Sequence, residues 1–133
     1  MNSPAHDLAL YLSNRGVGQF ASVSDWAINV ASEPPSPDRV TTLYDVPGGV
    51  PDTCEVDVFV NSVQVRTRGD YPSAYEMQSR IRQLLIHPMP IECDTSTFTS
   101  IDCTIDVGSL GHDSNNRFIL VATYRTRRTE KEA

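Results

Sequence analysis

The residues able to do chemistry in this sequence are few and scattered. Three histidines, His6, His87 and His112, and three cysteines, Cys54, Cys93 and Cys103, are the candidate nucleophiles and metal ligands. The cysteines lie too far apart for a CxxC zinc knuckle or redox pair, and their odd number argues against a disulfide framework. A metal needs three or four convergent His, Cys or carboxylate ligands, and no local cluster offers them. His112 and Asp113 are the one histidine–carboxylate neighbour pair, but adjacent side chains in a turn diverge and make no working dyad. Asp102 and Asp106 fall four apart on one strand pattern, about 13 Å by strand rise. That is too far for a paired acid/base site, so they read as a solvated or interface face. GxGxxG, the phosphate-binding GxxxxGK pattern, GxSxG and HExxH are all absent. The sequence therefore predicts no catalytic residue, no cofactor and no metal, and points to binding.

The charge pattern says what kind of binding. The chain of 133 residues carries a formal net charge of −6, which disfavours non-specific attraction to duplex DNA. Ten of the eleven basic residues are arginine, the exception being Lys131. Arginine suits interfaces because its planar guanidinium pairs bidentately with carboxylates and is weakly hydrated. Arg66, Arg68, Arg125 and Arg127 would share a face if their two strands were neighbours. No aromatic residues interleave with them for base stacking, so a protein interface is the first reading and a small nucleic-acid-binding module the alternative. Asp102 and Asp106 are their natural partners on another copy. A subunit with one basic and one acidic edge suits head-to-tail contact, which closes into a ring when the rotation permits.

The elements that must position these residues are readable from periodicity. Ser3-Pro4 opens a helix whose apolar face is Ala5, Leu8, Ala9 and Leu12, and Gly16 and Gly18 end it. Short strands follow around Trp26–Ala31 and over Val40–Val46, separated by the proline-rich loop Glu33–Asp38. Pro47–Asp52 is turn chemistry. Val56–Arg68 is the longest strand pattern. A second helix spans Pro72–His87, capped by Asp70 or Ser73, with Ala74, Met77, Ile81, Leu84 and Leu85 as its buried stripe. Ile101, Cys103, Ile105 and Val107 alternate as a strand with Cys103 inward; Gly108–Asn116 reads as a turn-rich connector. Arg117–Arg127 is the last strand, central in its apolar first half.

This order predicts one α+β domain over residues 1–128, with about five strands in an antiparallel or mixed sheet and two helices packed on one face. Residues 129–133 read as a mobile tail. Nothing approaches the ~18 apolar residues of a membrane span. The N-terminal residues lack the pattern of a cleaved signal peptide, so maturation in a cytoplasm is expected.

Three segments taken in order carry a resemblance. They are Leu43–Asp52 with its Pro47-Gly48-Gly49 turn, Val63–Gly69 with Tyr71 and Ala74, and Leu110–Asp113 with Arg117. Together they resemble the small minor-capsid or tail-terminator (tail completion) proteins of long-tailed bacteriophages. The resemblance implies a virion structural protein, without catalytic residues, at the head-proximal end of the tail and assembled in the host cytoplasm. It implies a homo-oligomeric ring, commonly of six subunits, that caps the tail tube protein, ends tube polymerisation and meets a head–tail connector or neck protein. Genomic DNA would pass through the lumen. Pro35 and Asp38 in one loop, and Pro47, Gly48, Gly49 and Asp52 in another, are the candidate axial contacts. A head-completion or neck adaptor is the alternative within the same class.

Overall fold

A computed structural model describes residues 1–47, 58–86 and 90–131. Helix α1 (Pro4–Asn14) starts where Ser3 adopts extended backbone and its hydroxyl accepts from the His6 N–H, with Pro4 in the first turn. Gly16 ends the turn in the left-handed region, at φ +81°. Gly18 then lets the chain pass close beneath the next strand: a Cβ there would lie 2.7 Å from Ile28 Cγ1 and collide with the Trp26 carbonyl oxygen. Helix α2 (Tyr71–Leu85) is capped by Asp70, whose carboxylate accepts from the Ser73 N–H and hydroxyl. Asp70, and not Ser73, is therefore the cap.

Seven strands form one mixed sheet: β1 (Gln19–Phe20), β2 (Ala27–Val30), β3 (Val40–Val46), β4 (Val58–Gly69), β5 (Ile91–Glu92), β6 (Ser96–His112) and β7 (Phe118–Glu130). Their spatial order is β1-β2-β3-β4-β7-β6-β5. The β1–β2 and β2–β3 pairs are parallel and the rest antiparallel. The expected five strands become seven because β1 and β5 are two-residue edge strands, too short to show alternation. Two further expectations are corrected. Gly108–His112 is strand and not connector, because β6 absorbs its glycines at bulges while staying paired to β7. Thr129 and Glu130, expected in a mobile tail, belong to the ladder: Thr129 lies between Val58 and Thr97, and Glu130 faces Ser96.

Both helices cover the same face. Leu8 and Leu12 of α1 join Met77, Ile81 and Leu85 of α2 in one core with Leu43, Val63, Val65, Phe98 and Tyr124. Burying each such side chain contributes about 1.5–3 kcal/mol. The Tyr11 hydroxyl links the helices by donating to the Leu84 carbonyl at 3.4 Å. Gln78 bolts α2 to the central strands, donating from Nε2 to the carbonyls of Val65 (2.9 Å) and Leu120 (3.2 Å). This satisfies two carbonyls where the helix crosses β4 and β7. The opposite face of the sheet carries no helix among the described residues.

Candidate functional site

The helix-free face gathers most of the residues singled out by charge. Adjacent β4 and β7 run antiparallel, with Ser62 opposite Arg125 and Val60 opposite Arg127. Since Val63, Val65 and Tyr124 point into the core, strand alternation sends Arg66, Arg68, Arg125 and Arg127 to the other face. The shared arginine face is therefore real in its geometry. Arg66 is held there by its Nε donating to Gln64 Oε1 at 2.8 Å and by its guanidinium lying 5.1 Å from the centroid of the Tyr44 ring. Arg125 is exposed, with Asp102 of β6 across the ladder. Arg127 is half-buried opposite Ser100.

Arg68 differs from the other three. Only 3% exposed, it donates to the carbonyls of Pro37 (2.6 Å) and Asp38 (3.2 Å) and pairs with Glu33 at 3.3 Å. Burial and the nearby Arg117 push its pKa down from the ordinary arginine value. Its guanidinium holds the proline-rich loop down on the sheet, which occupies it within its own subunit. Arg117 clamps the same loop from β7's side: it donates to the Pro35 carbonyl at 2.6 Å, reaches Asp38 at 3.3 Å and bonds Asp113 at 2.8 Å. Asp113 in turn accepts from the N–H groups of Asn115 and Arg117. These contacts hold its carboxyl below the usual carboxylate range. Pro35 and Asp38 thus sit on a braced loop, with the Asp38 side chain 84% exposed.

Asp102 and Asp106 do not share a face. Register shifts between Cys103 and Ile105 and between Ile105 and Gly108 break the alternation. Asp102 faces the arginines, while Asp106 turns to the helix side and pairs with Arg82 of α2 at 2.6 Å. Pro47 is exposed at the end of β3; Gly48, Gly49 and Asp52 lie outside the described residues, as does Cys54. The Pro35–Asp38 loop precedes β3, and Pro47 follows it. The two candidate contact loops therefore leave opposite ends of the β3–β4 pair, where Val40 meets Arg68 and Val46 meets Ser62.

One polar cluster was not anticipated. Asp7, fully buried in α1, accepts from Ser96 Oγ (2.5 Å), Thr95 Oγ1 (2.9 Å) and Asn2 Nδ2 (3.0 Å), and lies 3.6 Å from Arg128. Arg128 also donates to the Asn2 carbonyl at 2.8 Å and lies 6.0 Å from the Phe98 ring centroid. The cluster ties the start of α1 to the far end of β7. The available signal was the period-2 continuation Tyr124, Thr126, Arg128, which puts Arg128 on the buried face.

Little in this geometry supports catalysis. A cleft of about 400 Å³ beside α1 is lined by Leu10, Tyr11, Asn14, Glu92, Cys93 and Asp94. Its thiol is a poor nucleophile, because burial and the nearby Asp7 push Cys93 up to about 12. Cys103, expected inside, is half-buried and packs against the edge of the core. Among the described residues no three His, Cys, Asp or Glu side chains converge as a metal site, and no helix is long and apolar enough to cross a membrane.

No curated protein matches the chain significantly. A family model described as bacteriophage tail terminator protein matches residues 11–130, from the middle of α1 to the last residue of β7. The match includes every strand of the sheet, the arginine face and the braced loop, and on this evidence the chain belongs to the bacteriophage tail terminator family.

Proposed function

We propose that this chain forms a ring, of about six copies, that caps the head-proximal end of the phage tail tube. There it ends tube polymerisation and receives the neck of the filled head. The family match over residues 11–130 carries this reading. Capping requires two dissimilar axial surfaces, one complementary to the last tube ring and one that templates no further ring. Loops leaving opposite ends of the β3–β4 pair are suited to those two roles. One is braced by Arg68 and Arg117; the other begins at Pro47. Lateral contact between copies uses charged side chains of the helix-free face, Arg66, Arg125, Arg127 and Asp102. The net charge of −6 suits a lumen through which DNA slides, since fixed cations would retain phosphate.

Deleting the gene separates this role from its nearest rival. A terminator's loss gives overlong tails; tails of normal length that fail to join heads would instead make the chain a neck adaptor. A nucleic-acid-binding role would show as DNA affinity that falls steeply with salt and with Arg66→Ala or Arg125→Ala.

A further inference from the structure

Gln78 is only 2% exposed, and its Nε2 faces two sheet carbonyls, those of Val65 and Leu120. A carbonyl can only accept, so the amide cannot be turned round, and its Oε1 points away from both. That oxygen has no hydrogen-bond partner among the described residues. Buried acceptors left in this state are rare because they forgo their bonds to water without a replacement. Gln78 lines a cavity of about 90 Å³ between α2 and the β6–β7 pair, together with Tyr75, Ser79 and Arg82 of α2, Asp106 of β6 and Tyr124 of β7. Arg82 and Asp106, paired at 2.6 Å, form part of its wall. Tyr75, 47% exposed, stacks on Tyr71 with ring centroids 6.3 Å apart, and Tyr71 meets Phe118 edge-on at 5.6 Å. An aromatic strip therefore leads away from the cavity.

We propose that this cavity binds a carboxamide, the side chain of an asparagine or glutamine carried by an extended segment of another protein. The chemistry of the lining selects that group. An anion would meet the unpaired oxygen of Gln78 and the carboxylate of Asp106. A cation would meet Arg82, which already neutralises Asp106. A carboxamide is neutral and offers both halves of the exchange. Its nitrogen donates to Gln78 Oε1, and its oxygen accepts from the Ser79 hydroxyl or the remaining N–H groups of Arg82. The volume is about that of three waters in the liquid, enough for one such group. Residues flanking the carboxamide then lie on the Tyr75–Tyr71–Phe118 strip, where apolar burial favours a peptide over a free small amide.

Titration of the full chain with three probes, followed by NMR at the Gln78 side-chain amide, tests the proposal. Acetyl-Leu-Gln-Leu-methylamide should shift that signal and saturate. Acetamide should do so only at a concentration at least about tenfold higher, because it leaves the aromatic strip bare. Acetyl-Leu-Glu-Leu-methylamide, isosteric but anionic, should leave the signal in place. Ser79→Trp, at an exposed position that lines the cavity, should fill it and abolish the response with the melting temperature unchanged. No saturating response to the glutamine peptide overturns the proposal and leaves the cavity to ordered water. Equal affinity for the glutamate peptide overturns the carboxamide, and acetamide binding as tightly as the peptide overturns the protein source. A folded Ser79→Trp chain that still binds the peptide overturns the location. None of these outcomes bears on the capping of tubes, which stands or falls separately.

Discussion

At the scale of single residues, the ten arginines divide by what holds them. Arg68 and Arg128 are buried and spend their donors on backbone carbonyls and carboxylates of their own subunit. Removing one partner of a buried pair leaves the other charge unpaired, at a cost of about 3–5 kcal/mol. Asp7→Ala and Arg68→Ala should therefore lose stability on that order in urea denaturation. Arg125→Ala, on an exposed side chain, should stay within about 0.5 kcal/mol. Charge reversal at Arg66 and Arg125 is then the clean probe of assembly, whereas Arg68→Glu would report mainly on folding. The acid limb of stability follows from Asp70 and Asp113, both held below the ordinary carboxylate value, by bonds from Ser73 and from Arg117. A depressed folded-state pKa contributes stability above the unfolded value of about 4 and loses it as pH falls through the folded one. Melting temperature should accordingly drop as pH is taken from about 5 to 2, and Asp113→Asn should flatten that drop. An unchanged slope in the variant would remove Asp113 from the account.

At the scale of elements, both helices, β3, β4 and most of β7 were legible because each repeats an apolar period over seven residues or more. β1 and β5 were not, since two residues carry no period. β6 was misread beyond Val107 for a different reason. Its bulges break the alternation that would identify a strand, and they also separate Asp102 from Asp106. The arginine face was legible up to one residue. Strand parity placed Arg66, Arg68, Arg125 and Arg127 together, but only the fold of the proline-rich loop reveals that Arg68 is enclosed. Asp7 was hidden inside a helix pattern because its partners come from residues 95, 96 and 128. Gly18 offers a test at this scale. The close passage against Trp26 and Ile28 leaves no room for a methyl group, so Gly18→Ala should cost about 1–3 kcal/mol by overpacking. A variant as stable as wild type would show that the β1–β2 crossing yields easily.

At the scale of the whole molecule, one sheet has helices on one face, charged side chains on the other, and unlike edges. It offers three kinds of surface: two lateral margins, two axial ends and an arginine-bearing face. A capping ring needs a lateral contact to close, here assigned to the charged side chains of the helix-free face, and axial ends that differ. The Pro35–Asp38 loop, braced by Arg68 and Arg117, and Pro47 lie at opposite ends of β3, so substitutions at Asp38 should alter attachment to one axial partner only. The most direct test of the capping role is tail-tube elongation in vitro, with tube lengths measured by electron microscopy as the purified chain is added. Elongation should stop, with the added protein seen at one end of each tube. Tubes that keep growing in its presence, with no protein at either end, would contradict it.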